Sequence, residues 1–427
     1  MLTRIEIDGF KSFDQFGLDL PPFLVVLGQN ASGKSNLFDA IRLLSRLVTA
    51  PSVLDGFSDA RGELKEQFRR LGDGSSVTRM RFAAEMLLEP TVIDKFGKQV
   101  QIRYTRIRYE LEIRLVVEED GFVMPYVERE FATSLLNPGS PLLETHQVPD
   151  DAQLFALRDE DTNTFVDFLP ADAAEGTVLS TIGSAGDFPS LFATRKEIES
   201  WRFLQLDPVA LRKPSTPDQR GEQLESTGAN LARVLRRIER ATKREFGSGL
   251  DDIAVDLVNV VRGVSRVDVT ENAAGQWEVH LTTRDGRISA RVASDGTLRV
   301  LALLAAIHDP QYRGLLCFEE PENGIFPQRL RVLVQALKES ITEVLPGEPR
   351  AQLLLSSHSP LMLFELDPVD IVVMDLVTRV RPEEPGASQV SRARVLAESG
   401  ELETVSPYER QALPGISRDE AQRLLED

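Results

Sequence analysis

Gly28-Gln29-Asn30-Ala31-Ser32-Gly33-Lys34-Ser35 spaces two glycines, a lysine and a hydroxyl in the GxxxxGK[ST] pattern. The glycines let backbone N–H groups turn inward around phosphate oxygens, the lysine reaches the β and γ phosphates, and the serine suits Mg²⁺. Residues Gly28 to Asn36 are therefore expected to cradle a nucleoside triphosphate, with Ser35 on the metal and Lys34 on the transferring phosphoryl group. A second chemical group stands at Glu319-Glu320-Pro321-Glu322-Asn323-Gly324, directly after the apolar run Leu315 to Phe318. Carboxylates at the tip of a buried strand hold Mg²⁺ or orient an attacking water. The expectation is Glu319 for the metal, directly or through water, and Glu320 for the general base. Most strands of this Walker B type end in Asp, so Glu319 adds a methylene. His358, at the tip of the apolar run Ala351 to Ser356, can reach a γ-phosphate. Ser294-Asp295-Gly296-Thr297-Leu298-Arg299 opens a helical pattern whose free N–H groups and dipole favour an anion. Taken singly, these pieces also fit a glycine-rich turn, an acidic turn, a structural histidine and an ordinary serine N-cap.

The elements around them narrow the choice. Pro21-Pro22 precede the strand-like run Phe23 to Leu27, and Leu37, Ala40, Ile41, Leu44, Leu47 and Val48 recur at helical spacing, so strand, loop and helix are written around the glycines. Residues 78–130, with the alternating Val100 to Val117, read as an antiparallel sheet attached to the first lobe, and the acidic stretch Asn137 to Gly186 reads as long loops. Ile371 to Met374, flanked by Asp370 and Asp375, reads as one more strand, and Ser417 to Asp427 as a short amphipathic helix.

Composition bounds the class. The chain has 427 residues, 42% of them hydrophobic, as in globular proteins, and lacks an 18-residue apolar stretch. Met1 to Ile7 alternates like a strand instead of resembling a signal peptide, which leads to a cytoplasmic location as the expectation. The single cysteine, Cys317, offers no intrachain disulfide, and His146, His280, His308 and His358 offer no zinc spacing, so Mg²⁺ is the one metal implied. A net charge of −18 argues against a surface that coats nucleic acid throughout. A local basic patch is still present. From Asn230 to Phe246 a helical pattern carries the stripe Leu231, Val234, Leu235 and Ile238, with Arg233, Arg236, Arg237, Arg240, Lys243 and Arg244 gathered on the other side. That face is either solvated or a DNA-backbone contact.

In order, the segments GQNASGKSN, SDGTLR, CFEEPENG and SSHSP, with the opening strand Arg4 to Phe13, resemble the RecF-like predicted AAA ATPases. These have ABC-type heads related to SMC proteins and the OLD nucleases. The resemblance extends to Trp201–Pro208 and Gly228–Leu231, and so to most of the chain. It implies that Ser294, Gly296 and Arg299 belong to the ABC signature, Asn323 and Gly324 to the D-loop, and His358 to the switch histidine. Gln67, Gln99 and Gln101 compete for the Q-loop, and none has a distinctive context. Phe326 stands where the family often has histidine, which predicts a packing residue there. The heptad-patterned hundreds of residues of SMC proteins are missing, and the 69 residues after His358 are short for the roughly 100 that an OLD-type nuclease domain needs.

The expected architecture is an α/β, ABC-type P-loop head of two lobes with a mixed central sheet, an antiparallel β subdomain and a helical insert. Residues 1–75 form the first part of the nucleotide lobe, 76–200 the β subdomain and acidic loops, 201–270 the helical region, and 271–427 the second part of the head. The expected function is a Mg²⁺-dependent ATPase, ATP to ADP and phosphate, that dimerises with ATP because one subunit's P-loop and another's signature enclose the same nucleotide. It is expected to act in DNA repair or anti-phage defence with a separate nuclease or other effector. The alternative is a regulatory ATPase that holds a toxic protein partner without touching DNA.

Overall fold

Five apolar residues in succession, Phe23 to Leu27, form a strand buried along its whole length, as a run without polar alternation requires. The computed structural model that shows this describes all residues except 95, 148–152, 172–173, 217–222, 246, 343–350, 399–407, 409–411 and 427. In chain order the strands are β1 (Leu2–Asp8), β2 (Phe16–Asp19), β3 (Phe23–Leu27), β4 (Arg79–Leu87), β5 (Thr91–Ile93), β6 (Gln99–Gln101), β7 (Arg106–Val117), β8 (Val123–Ser134), β9 (Leu143–Gln147) and β10 (Gln153–Arg158). They continue as β11 (Phe165–Pro170), β12 (Arg202–Leu204), β13 (Val264–Glu271), β14 (Trp277–Thr283), β15 (Gly286–Ser289), β16 (Gly314–Glu319), β17 (Ala351–Ser357), β18 (Ile371–Val380), β19 (Ala387–Leu396) and β20 (Gly415–Ile416). Two units divide the chain: one holds residues 1–21, 26–201 and 368–427, the other 22–25 and 202–367.

In the first unit, eight strands run β11-β10-β9-β8-β7-β4-β1-β2. Strands β1, β4, β7 and β8 pair antiparallel, as the alternation in residues 78–130 predicts. Ile5, Ile7, Phe82, Met86, Ile107, Tyr109 and Leu111 are buried, and alternation turns the intervening residues to the other face. There Arg108, itself buried, reaches Glu6 at 2.6 Å, Glu85 at 3.0 Å and Glu110 at 2.6 Å. The Tyr408 ring lies 4.3 Å from its guanidinium. Burial would raise the Glu110 carboxyl, but Arg81 and Arg108 beside it hold it down to about 2. Leu143–Gln147, Gln153–Arg158 and Phe165–Pro170 form three strands where the acidic composition predicts loops. β11 is an edge strand whose Val166, Asp167 and Phe168 are exposed, so only its pairing with β10 identifies it, and pairing leaves little trace in composition.

Glu130 of β8 is fully buried. It accepts hydrogen bonds from the Tyr109 hydroxyl at 2.9 Å and from the backbone N–H groups of Val178 and Leu179 at 2.6 and 3.1 Å. Burial pushes its carboxyl up to about 7, with the two N–H groups offsetting part of the rise. A folded-state value above the unfolded one gives stability that is complete below about 4.5 and lost as pH rises through about 7. Melting temperature is expected to fall between pH 5.5 and 8 in the wild type. That slope should flatten in Glu130→Gln, and thermal melts across the pH series check it.

The helix Lys34–Thr49 buries Leu37, Ala40, Ile41, Leu44, Leu47 and Val48, the stripe that its sequence spacing predicts. It lies against the helix Pro189–Glu199, with the Ser45 hydroxyl donating to the Ile198 carbonyl at 3.0 Å. Strands β18, β19 and β20 are neighbours in a second sheet, with β18 and β19 antiparallel over Val372 to Val380 and β19 and β20 parallel. Asp370 precedes β18, but Asp375 lies within it, since the strand runs on to Val380, and the final helix runs Arg418–Glu426.

In the second unit, β12, β16 and β17 run parallel, and β13-β14-β15 form a separate antiparallel sheet. Helices Leu231–Ala241, Gly249–Val260, Asp295–Ile307 and Pro327–Thr342 belong to the same unit. The basic helix ends at Ala241, so Lys243 and Arg244 lie beyond it, and the predicted limit Phe246 falls outside the described residues.

Candidate functional site

One candidate group is the loop between β3 and the helix Lys34–Thr49. Ala31 and Gly33 have left-handed backbone, φ 65° and 103°. Such residues turn successive N–H groups toward a common centre, the geometry of an anion nest. Gly28 and Gly33 have no room for a Cβ: one at Gly28 would lie 2.5 Å from the Met374 carbonyl oxygen, and one at Gly33 would lie 2.0 Å from the Ser391 hydroxyl. Gly33 is the N-cap residue and no side chain caps the helix, so its start is left to backbone N–H groups. Lys34 is buried and donates to the carbonyls of Gly28 and Gln29 at 2.6 and 2.7 Å. The Asn36 amide donates to the Ser12 hydroxyl at 2.9 Å. Asn30 and Ala31 are exposed at the loop's tip, while Ser32 is buried with its hydroxyl unpartnered.

A separate candidate group, in the second unit, lies at the ends of β16 and β17. Glu319 closes β16 opposite Ser356. Glu320 takes φ 53°, an uncommon conformation for a residue with a side chain. Its N–H donates to the Ser356 carbonyl at 2.8 Å, and its carboxylate accepts from the Asn323 amide. A left-handed carboxylate held from both sides is characteristic of a functional turn. Glu322, to which the sequence motifs give no role, accepts from the Ser357 hydroxyl at 2.7 Å and from the His358 N–H at 3.0 Å. It also lies 3.2 Å from His358 Nδ1, with Glu320 3.7 Å from the same nitrogen. Asn323, Glu320 and His358 are thus brought together, with Glu322 as the group that fixes the histidine. The signal for Glu322 was its place two residues after Glu320, although only the adjacency of β16 and β17 shows what it grips.

In the same unit, Ser294 is the N-cap of the helix Asp295–Ile307, its hydroxyl accepting from the Thr297 N–H at 3.2 Å. The capping role thus falls on the helix start where the sequence predicts anion binding. Gly296 is packed on Gly324, where a Cβ would lie 1.9 Å from the Gly324 carbonyl oxygen, so the predicted signature and D-loop touch through glycines. Arg299 lies over the Phe318 ring at 5.9 Å.

Two expectations change. Phe326 does not pack: it is 82% exposed. Its carbonyl accepts from the Arg329 and Leu330 N–H groups at the start of the next helix, and the buried stripe of that helix begins only at Leu330. The cations of the basic helix are also largely engaged within the protein. Arg237 forks onto buried Asp309, Arg236 pairs with Glu239, Arg236 and Arg240 lie over the Trp277 ring, and Arg244 pairs with Asp252. Arg233 remains on the partly exposed side of that helix and Lys243 is exposed beyond it. Of the Q-loop candidates, Gln67 is buried and its carbonyl accepts from the Lys11 N–H at 2.9 Å.

The donor set of the loop fits a triphosphate: inward-turning N–H groups, an ammonium, and an unpartnered buried hydroxyl at Ser32. Among the described residues no helix is long and apolar enough to cross a membrane.

A 41-residue stretch is 51% identical to the chromosome partition protein Smc of Methanocaldococcus jannaschii, and covers 9% of this chain and 4% of that protein. In fold, the chain is similar to an Smc head bound to the C-winged helix domain of ScpA, with TM-score 0.51 and 13% identity over 91% of this chain and 97% of that one. It is likewise similar to the Smc head domain with a coiled coil and joint from Pyrococcus yayanosii, with TM-score 0.50 and 12% identity over 100% of this chain and 99% of that one. The fold is that of an ABC-type ATPase head. A family model described as "AAA domain, putative AbiEii toxin, Type IV TA system" matches residues 23–363, from the strand before the P-loop to beyond His358. The chain belongs to this AAA-domain family.

Proposed function

We propose that this chain binds ATP with Mg²⁺, hydrolyses it to ADP and phosphate, and closes as a homodimer around the nucleotide, in the cytoplasm, to drive a separate protein effector such as a nuclease in DNA repair or anti-phage defence. The P-loop carries the reading: its left-handed Ala31 and Gly33 and its inward-folded Lys34 build a cradle for phosphates. Ser35 and Glu319 would hold Mg²⁺, which when bound neutralises charge on the phosphate oxygens. Lys34 exchanges its two carbonyl acceptors for phosphate oxygens. Glu320 accepts a proton from the water whose oxygen bonds to the γ-phosphorus as the bridging P–O bond breaks. His358 directs Nδ1 to Glu322, so donating from Nε2 to a phosphate requires the imidazolium form. The signature residues Ser294, Gly296 and Arg299, with Asn323, would meet the nucleotide of a second copy. Support for that comes from the glycine contact that sets the D-loop against the signature helix.

A titration with a fluorescent ATP analogue, followed by phosphate release, tests the reading. Lys34→Ala is expected to weaken binding about 10–100-fold, the range for losing a charged hydrogen-bond donor. A wild-type protein that binds no nucleoside triphosphate would overturn it.

The second reading, a regulatory ATPase that restrains a toxic protein without binding DNA, draws on the exposed Phe326 and on the internal partners of Arg236, Arg237 and Arg240. Purification of the native complex before and after nuclease digestion separates the two. A partner lost on digestion indicates DNA, and one retained indicates direct protein contact.

A further inference from the structure

Ser391 lies on β19, 359 residues from the P-loop, and no phosphate-binding motif includes it. Its hydroxyl donates to the Ser32 carbonyl at 3.0 Å and lies 2.7 Å from the Ser12 hydroxyl, and its N–H donates to the Ser12 carbonyl at 2.8 Å. The Asn36 amide completes the series on the far side, donating to the Ser12 hydroxyl at 2.9 Å. The proton order is fixed by elimination. An amide N–H only donates, and the Ser391 proton is committed to a carbonyl, which only accepts. The Ser12 hydroxyl therefore accepts from Asn36 and donates to Ser391, and the chain runs Asn36, Ser12, Ser391, Ser32 carbonyl.

Its last member is a P-loop peptide. The bond between Ser32 and Gly33 is trans, so anchoring the Ser32 carbonyl on Ser391 sends the Gly33 N–H in the opposite direction. Ser391 also explains why residue 33 is glycine, since a Cβ there would meet the Ser391 hydroxyl at 2.0 Å and its Cβ at 2.9 Å. Ser391 and Ser32 are each 4% exposed, where a hydrogen bond is little challenged by water and series of them reinforce one another.

We infer that Ser391 and Ser12 are positioning residues for nucleotide binding: their hydroxyls preset the Ser32–Gly33 peptide so that its N–H faces the phosphate before ligand arrives. A preset donor avoids reorientation on binding, which is where preorganisation raises affinity. The inference rests on the P-loop being the triphosphate site.

The test is a double-mutant cycle on the full chain, with a fluorescent ATP analogue as probe and melting temperature recorded without nucleotide. Ser391→Ala and Ser12→Ala are each expected to raise Kd about 5–10-fold, as for loss of one buried hydrogen bond. The double variant should bind no more weakly than either alone, because one broken link disables the series. Ser12→Thr, which keeps the hydroxyl, should bind as the wild type does. In turnover, KM should rise with kcat at saturating ATP within about twofold. Wild-type affinity in Ser391→Ala, additive losses in the cycle, or an affinity loss matched by a large drop in melting temperature would each overturn the inference while leaving the nucleotide site intact. Failure of the wild type to bind any nucleoside triphosphate would overturn both.

Discussion

Glu320→Gln is expected to lower ATP turnover about 10²–10⁴-fold while nucleotide affinity stays within about twofold, the pattern for removing a group that acts only in the transition state. The amide cannot accept the proton of the attacking water. It can still pair with Asn323, and the backbone N–H to the Ser356 carbonyl does not involve the side chain, so the left-handed turn should persist. With hydrolysis blocked, the nucleotide-bound form accumulates, and size exclusion with ATP and Mg²⁺ should show a dimer that ADP does not support. Single-turnover phosphate release measures the first effect and chromatography the second. Turnover equal to wild type would remove Glu320 as the base, and a strictly monomeric ATP-bound variant would remove the proposed dimer.

Arg108→Met is expected to carry the largest stability effect. The guanidinium sits among Glu6, Glu85 and Glu110 with its side chain 3% exposed. Methionine fills much of the volume but leaves buried carboxylates without their central cation, a class of change that costs about 3–5 kcal/mol. The pH dependence distinguishes this from a packing defect. Both Glu110, held near 2, and Glu6, also lowered against the opposing effect of burial, have folded-state values below their unfolded ones. The stability they supply is complete above about 4.5 and lost as pH falls toward 2. In the variant the same carboxylates lose their main partner and protonate at higher pH, so its deficit should be greatest above pH 6 and narrow toward pH 4. Thermal melts of both proteins at those values decide it. A deficit constant with pH would mean that Arg108 contributes volume alone.

What the sequence by itself determined was local. The P-loop, its preceding strand and its following helix depend on backbone conformation and spacing within about thirty residues, and residue types there leave few alternatives. The same holds for β16 with its terminal Glu319 and the Glu320 that follows it, and for the buried stripe of the helix that begins at Leu231. Only the tertiary structure decided how residues distant in the chain meet. Ser391 reaches Ser32 because β19 lies beside the loop, and Glu322 holds His358 because β16 and β17 are neighbours. Periodicity reports which face of an element is buried and says nothing of what covers it. For the same reason the arginines of the basic helix looked available from their spacing, until Asp309 and Trp277 proved to lie against them. Phe326 errs in the other direction, since hydrophobicity predicts burial but the start of the following helix leaves its ring in solvent.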